Sequence, residues 1–368
     1  DIVIELIGGC DVAFDLISAA LDHGKHVVTA NKALIATRGN EIFHQASSAG
    51  LVVAFEAAVA GGIPVIKVLR EGLAGNRIER LVGILNGTCN FILSGMQDDR
   101  SDYAEVLLKA QANGYAEADP SVDVQGVDAA HKLTILASIA YGVHLDFKSV
   151  HVEGISDITQ DDIIYARELG YRIKHLGIAR RLPNGLDLRV HPCLVGNDHL
   201  LSSVSGVMNA IVVNGDAVGE TLLYGAGAGA QPTASAVVAD LVDVVRTLTS
   251  DPGNRVPHLA FQPAALAAPG IVPLAEIVCA HYLRLTVHDR SGVLADITRI
   301  LGDYQVSIEA IRQQGSADAL GNVPVVIVTH AALEANVAMA VSEIEALSTN
   351  ATVATRIRLE TLEESVDE

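Results

Sequence analysis

The sequence predicts an α/β protein in three parts, and three observations carry that reading. Residues 1–55 alternate strand-like and helix-like runs, the signature of parallel strands joined by covering helices. Residues 141–224 switch to short β-rich runs separated by turns such as Pro183-Asn184-Gly185, which is the pattern of an α+β domain with a mixed or antiparallel sheet. Residues 280–368 read β-α-β-β-α-β, two split strand-helix-strand units that form a ferredoxin-like sandwich.

Composition sets the limits. At 368 residues, half of them hydrophobic, the chain can build two or three domains with substantial cores. A formal charge of −19 with an acidic C-terminal end argues against nucleic acid or an anionic membrane surface as partner, and leaves small molecules and other proteins. The longest apolar stretch is broken by Glu56, Pro64 and Lys67, so no membrane-spanning helix is expected. Cys10, Cys89, Cys193 and Cys279 lie far apart with no CxxC pair, which fits reduced thiols and a cytoplasmic setting. The strand-like DIVIELIGG is already under way at Asp1 with no signal peptide before it, so a missing upstream segment is expected.

The first part reads DIVIELIGG, AFDLISAALDHG, KHVVTA, NKALIATRGNEIFHQASSAG and LVVAFEA. In such sheets ligands sit beyond the carboxyl ends of the strands, so Gly8 with Gly9, and Thr29, Asn31 and Lys32, face the expected crevice. A lysine opening a helix is disfavoured by the helix dipole and is tolerated beside a polar or anionic ligand; a solvated lysine fits the local sequence as well. Further on, Gly61-Gly62 before Pro64 marks a loop whose backbone approaches something closely. NGTCNF, with Gly87 and Thr88, is a second small-residue turn whose amides can bind an anion, or a plain Asn-Gly turn.

The densest chemistry lies in GYAEADPSVDVQGVDAAHK, residues 114–132. Asp128 and Lys132, four apart, share one face of a helix, and Glu117 and Asp123 come from the irregular segment before it. A capped helix with a surface ion pair is the plain alternative. The helix is otherwise apolar, however, so its lysine must be satisfied by something. GAGAGAQPTASAVVADL is a glycine-rich loop running into a helix, weak evidence by itself. Residues 251–279, rich in Pro, Ala and Gly, read as a linker, and DRSGVLADI places Gly292 at a helix start where a backbone can approach a ligand.

Taken together, ELIGG, VVTANKALIA, FEAAVAGGIPVI, NGTCNFIL, GYAEADPSVDVQGVDAAHK and GAGAGAQPTASAVVADL resemble, in order, the blocks of homoserine dehydrogenase of the monofunctional bacterial kind. DRSGVLADI and the β-α-β-β-α-β pattern resemble its C-terminal ACT regulatory domain. The resemblance implies a partial Rossmann-like dinucleotide-binding domain at 1–55, with a helix at about 232–250 returning to it. It further implies an α+β substrate-binding, catalytic and dimerisation domain at 56–231, the linker at 251–279 and the ACT domain at 280–368. The implied reaction is hydride transfer between NADP or NAD and L-homoserine or L-aspartate 4-semialdehyde. By resemblance Lys132 donates the proton, Asp128 partners it, and Lys32 is a second catalytic lysine near the nicotinamide. Glu117 would hold the substrate ammonium, with Thr88, Gly87, Tyr115 and Asp123 around the substrate, while Gly8, Thr29, Asn31, Lys32 and Gly229 would approach the cofactor. A sodium ion is implied on backbone oxygens at Glu56, Val59, Gly61 and Ile63, threonine as effector near Gly292, and a homodimer or homotetramer.

Two departures stand out. The family's first strand and GxGxxG phosphate loop do not occur in this sequence, and Ser291 stands where the family often has proline. Two other readings follow from the residues: a non-catalytic amino-acid-binding fragment acting through the ACT domain, and an aldehyde-handling enzyme with Cys89 as nucleophile. The latter is disfavoured because no histidine lies in the Cys89 block.

Overall fold

The computed structural model describes residues 1–313 and 317–361. The acidic run 362–368 and the end of the strand expected over VSIEAIRQQG lie outside the described residues.

Three parallel strands, β1 (Ile2–Glu5), β2 (His26–Thr29) and β3 (Val53–Ala54), pair in the order β1-β2-β3 and are connected by α1 (Asp11–Asp22) and α2 (Lys32–Ser48). Successive strand residues point to opposite faces. Val27 and Val53 accordingly join the core built on α1 and α2, while Val28 and Ala54 pack with Ala236, Val237 and Val244 of a later helix.

The chain continues through α3 (Val65–Lys67), β4 (Ile78–Ile84), α4 (Gly87–Asp98), α5 (Tyr103–Ala112), α6 (Ser121–Val124) and α7 (Val127–Tyr141). There follow β5 (His151–Val152), α8 (Gln160–Glu168), the long hairpin β6 (Tyr171–Leu182) and β7 (Gly185–Gly196), α9 (Leu200–Ser203), the hairpin β8 (Met208–Gly215) and β9 (Gly219–Ala226), and α10 (Ala230–Thr247). The strands β7-β6-β4-β8-β9 form an antiparallel sheet. α7 is buried at every residue from Asp128 to Tyr141, as a helix apolar on all sides must be. Its Leu133, Leu136 and Ala140 share one core with Ile35 and Ile42 of α2 and Val190 of β7, so α7 joins the parallel sheet to the antiparallel one.

The C-terminal part is β10 (Val278–His288), α11 (Val293–Asp303), β11 (Ile308–Gln313), β12 (Asn322–Thr329), β13 (Ala332–Leu333), α12 (Glu334–Glu345) and β14 (Thr355–Leu359), with strand order β11-β12-β10-β14. Its core lies between α11, α12 and one face of this sheet. β14 also pairs in parallel with β7, Arg358 opposite Cys193 and Leu359 opposite Leu194, so the two sheets run on as one. Of the linker expected over 251–279, residues 278–279 open β10 and residues 251–277 are tied down rather than free. Ala267 N donates to Gly142 O, His144 N to Ala267 O, Leu186 N to Gly270 O and Val272 N to Leu186 O, and Leu259 and Val272 are buried. Composition alone marked this stretch as irregular; its docking depends on partners far away in sequence. No described helix is long and apolar enough to cross a membrane.

Candidate active site

The site forms where β4 ends against the start of α7. Asn86 caps α4 by accepting the Cys89 amide on its Oδ1 at 2.8 Å. Its Nδ2 donates to Asp123 Oδ1 at 2.8 Å and to Asp128 Oδ2 at 2.9 Å. One turn along α7, Lys132 Nζ donates to Asp128 Oδ2 at 2.7 Å and to Leu85 O at 2.8 Å. From the parallel sheet, Lys32 Nζ approaches Asp128 Oδ1 at 3.2 Å. One carboxylate therefore sits between two ammonium groups, the Lys132 side chain 9% exposed and that of Lys32 41%. Burial pushes the Asp128 carboxyl up, but the charges of Lys132 and Lys32 and the bonds from Lys132 and Asn86 outweigh it and hold it well below the usual carboxylate range. Asp123 moves the other way, raised by burial against its Asn86 bond, with the Asp128 charge adding to the rise.

Lys32 is placed by a polar web at the ends of β1 and β2. Glu5 accepts the amides of Ile7 and Gly8 on one oxygen and Thr29 Oγ1, at 2.7 Å, on the other. Thr29 Oγ1 accepts the Asn31 amide; Asn31 donates to Gly9 O and accepts the Leu34 amide, capping the helix that Lys32 begins. Gly8 and Gly9 both adopt φ of +73°, and nothing lies within 4 Å of where either Cβ would be. This turn is open at the carboxyl edge of the parallel sheet, beside Asn31 and Lys32, where ligands of such sheets sit.

The structure brings Lys32, Asp128, Lys132, Asp123 and Thr88 together. Thr88 Oγ1 donates to Tyr115 O at 2.6 Å and lies 3.5 Å from Asp123 Oδ2. Tyr115 thus enters through its carbonyl, its ring packing edge-on to Phe91. At Gly87 a Cβ would meet Val207 O at 2.7 Å. Glu117 is exposed and outside this network, held by its carbonyl, which accepts from Gln111. Gly229, at φ of +119°, starts α10, but the tighter glycine of that loop is Gly227, whose Cβ would lie 2.1 Å from the Asn209 side chain. Asn209 Nδ2 in turn donates to Leu85 O, the carbonyl that holds Lys132. Gly292, at φ of +96°, caps α11 with open space around it.

Glu56, Val59, Gly61 and Ile63 lie in a tight loop with Ala60 and Gly61 in left-handed conformations. Its turn bonds use the carbonyls of Glu56, Ala60 and Ile63. The Glu56 carboxylate accepts the amides of Ile66 and Lys67, and its own amide donates to Asp240. Burial raises Glu56 to about 7 and Asp240 to about 6. Two buried carboxyls therefore stand beside this tight turn.

Glu5, Asn86, Asn209 and the Leu85 carbonyl are residues that the sequence reading missed. Asn86 carried a signal, an Asn directly before a helix start, and Glu5 another, an acid in an apolar strand; a backbone carbonyl carries none. Cys89 is fully buried, donates to Asp123 O at 3.2 Å, and has its thiol pushed well up by burial, which rules against a nucleophile.

A parallel sheet with an open glycine turn at its carboxyl edge, set beside a lysine-carboxylate-lysine cluster, defines a nicotinamide-dependent oxidoreductase. The profile of the homoserine dehydrogenase NAD-binding domain matches residues 1–56, that of homoserine dehydrogenase residues 64–242, and that of the ACT domain residues 281–346. A homoserine dehydrogenase of Pseudomonas aeruginosa is 58% identical over 98% of this chain and 83% of its own length. One from Neisseria gonorrhoeae is 52% identical over the same shares. The crystal structure of a homoserine dehydrogenase from Thiobacillus denitrificans superposes with a TM-score of 0.94 at 57% identity, covering 99% of this chain and 83% of that one. A hyperthermophilic archaeal homoserine dehydrogenase solved in complex with NADPH gives a TM-score of 0.59 at 29% identity, covering 68% of this chain and 73% of that one. The chain belongs to the homoserine dehydrogenase family. Membership at this identity runs against both the non-catalytic reading and the Cys89 one.

Proposed function

We propose that the chain interconverts L-homoserine and L-aspartate 4-semialdehyde with Lys132 as proton donor and acceptor, Asp128 as its partner and Lys32 as the second lysine. The observation that carries this assignment is the buried Asp128 carboxylate shared by the two ammonium groups at 2.7 and 3.2 Å. Bound at the Gly8–Gly9 turn and beside Asn31, NADP or NAD supplies the hydride acceptor for the alcohol. In the forward direction Lys132 acts as the neutral amine, its proton first released to solvent, and takes the hydroxyl proton of homoserine to become the ammonium; in reverse that ammonium gives its proton to the forming alkoxide. Asp128 holds Lys132 in place through Oδ2 and keeps Lys32 close through Oδ1. Asn86 fixes the spacing between Asp128 and Asp123. Thr88, Gly87, Tyr115 and Asp123 line the substrate side; Glu117, exposed and free of a side-chain bond in the cluster, is available for the substrate ammonium.

A sodium ion on the carbonyls of Glu56, Val59, Gly61 and Ile63 would steady the loop that meets the GAGAG turn, where Gly62 N donates to Ala226 O. Threonine is assigned as the ACT effector, bound near the open Gly292 turn, and a homodimer or homotetramer as the assembly. Four free thiols accord with a reducing, cytoplasmic setting. The test is absorbance of reduced cofactor when the folded chain is mixed with L-homoserine and NADP or NAD. Turnover that Lys132→Met abolishes supports the assignment; turnover that survives Lys132→Met overturns the role of Lys132, and a folded chain without turnover overturns the activity.

A further inference from the structure

The ACT sheet is joined to the catalytic sheet by β14 against β7, and an ion-pair network crosses that junction. Arg358, 1% exposed, donates through Nε and Nη2 to both oxygens of Glu334, at 3.1 and 2.6 Å. Its Nη1 donates to Glu153 Oε2 at 2.8 Å. Glu334 opens α12 and also bonds His281 of β10 at 2.9 Å, so Arg358 is anchored to the ACT core on one side.

On the other side Glu153 is fastened to the catalytic half. Its amide donates to Val190 O, its carbonyl accepts from His175 Nε2 at 3.0 Å, and its second oxygen lies 2.8 Å from His151 Nε2. The next two residues press on the corner between α6 and α7. A Cβ on Gly154 would stand 2.3 Å from Val124 O, and Ile155 N donates to that same carbonyl at 2.8 Å. A Cβ on Gly126, the left-handed residue that starts α7, would meet Glu153 O and His175 Nε2 at 3.1 Å. This corner carries Asp123 on one arm and Asp128 on the other.

We propose that Arg358 and Glu153 are positioning residues for the α6–α7 corner, and that their ion pair is the link through which the ACT domain acts on the catalytic cluster. The second half rests on the effector reading given above. Contact here is continuous from α12 to α6, and each joint is a hydrogen bond or a close approach at a glycine, tightest at Gly154, so a shift of β14 is passed on rather than absorbed.

The test is hydrogen–deuterium exchange on the full chain, comparing wild type with Glu153→Gln and Glu153→Asp. Without ligand, Glu153→Gln is expected to speed exchange in peptides covering residues 119–132 by roughly 2- to 30-fold, with α11 and β6 unchanged and Glu153→Asp intermediate. With L-threonine, the change seen in those peptides of the wild type should be lost in Glu153→Gln. Wild-type exchange in 119–132, or an equal rise everywhere, would overturn the positioning role. L-threonine leaving the wild type unchanged would overturn the effector reading alone, since the ligand-free comparison stands apart from it.

Discussion

Replacing Asp128 with asparagine removes the carboxylate that both lysines share while keeping its shape. Lys132 Nζ would retain Leu85 O at 2.8 Å as acceptor, with Lys32 still facing the site. Breaking a buried ion pair by removing one partner costs about 3–5 kcal/mol, because the remaining charge stays desolvated. The half-exposed Lys32 can turn to solvent, which places the cost at the lower end, about 3 kcal/mol. For a module of this size that is a fall in Tm of roughly 6–12 °C. The pH dependence follows from the sign of the shift. A carboxyl depressed in the native state contributes stability above its ordinary pKa and loses it only as pH falls through the native value. The gap between wild type and Asp128→Asn should therefore be constant from about pH 5 to 8 and close only in strong acid. Thermal melts across that range, with initial rates at neutral pH, are the assay; activity should fall by about 10²- to 10⁴-fold. The double variant Asp128→Leu, Lys132→Met should regain stability without activity, since an apolar pair of similar volume suits a buried site. Asp128→Asn melting within about 1 °C of wild type would refute the claim that the carboxylate holds a buried ammonium.

Cys89→Ala should keep its activity and lose about 1 kcal/mol in urea denaturation, because the thiol only fills space and bonds Asp123 O; a large loss of rate in a folded variant would reinstate it in the chemistry. Gly227→Ala must displace Asn209 and take away its bond to Leu85 O, leaving Lys132 as the donor there, so a loss of about 1–3 kcal/mol together with lower activity is expected, and unchanged melting would contradict the close approach. Glu56, raised to about 7, contributes most when protonated, and that contribution fades as pH rises through 7. Glu56→Gln should therefore gain on wild type between pH 5 and 8 by up to about 3 kcal/mol, read as the difference of melting curves, and a difference constant with pH would show that burial does not penalise the charge.

Much of the site was legible because its residues obey local rules. Asp128 and Lys132 are four apart on an apolar helix, Gly8 and Gly9 follow a buried strand, and Lys32 starts a helix at a strand end, where ligands gather. What escaped has no local rule. Leu85 contributes only a carbonyl, Asn209 arrives from 124 residues away, and Glu153 lies in a short β5 connection that read as unremarkable sequence. The stretch 251–277 shows the same limit, since its proline and alanine content describes a spacer while its hydrogen bonds to Gly142 and Leu186 make it a strap.

The sequence by itself determined the three-part α/β architecture, the family and the lysine-aspartate helix, because periodicity, turn chemistry and motif order are written along the chain. Tertiary structure alone decided that Lys32 from one sheet meets Asp128 from another, that Asn86 and Asn209 hold the cluster, and that β14 runs on into β7. Those contacts depend on the distance between segments in space, and that distance is set by how α7 is buried between two sheets, which no single segment specifies.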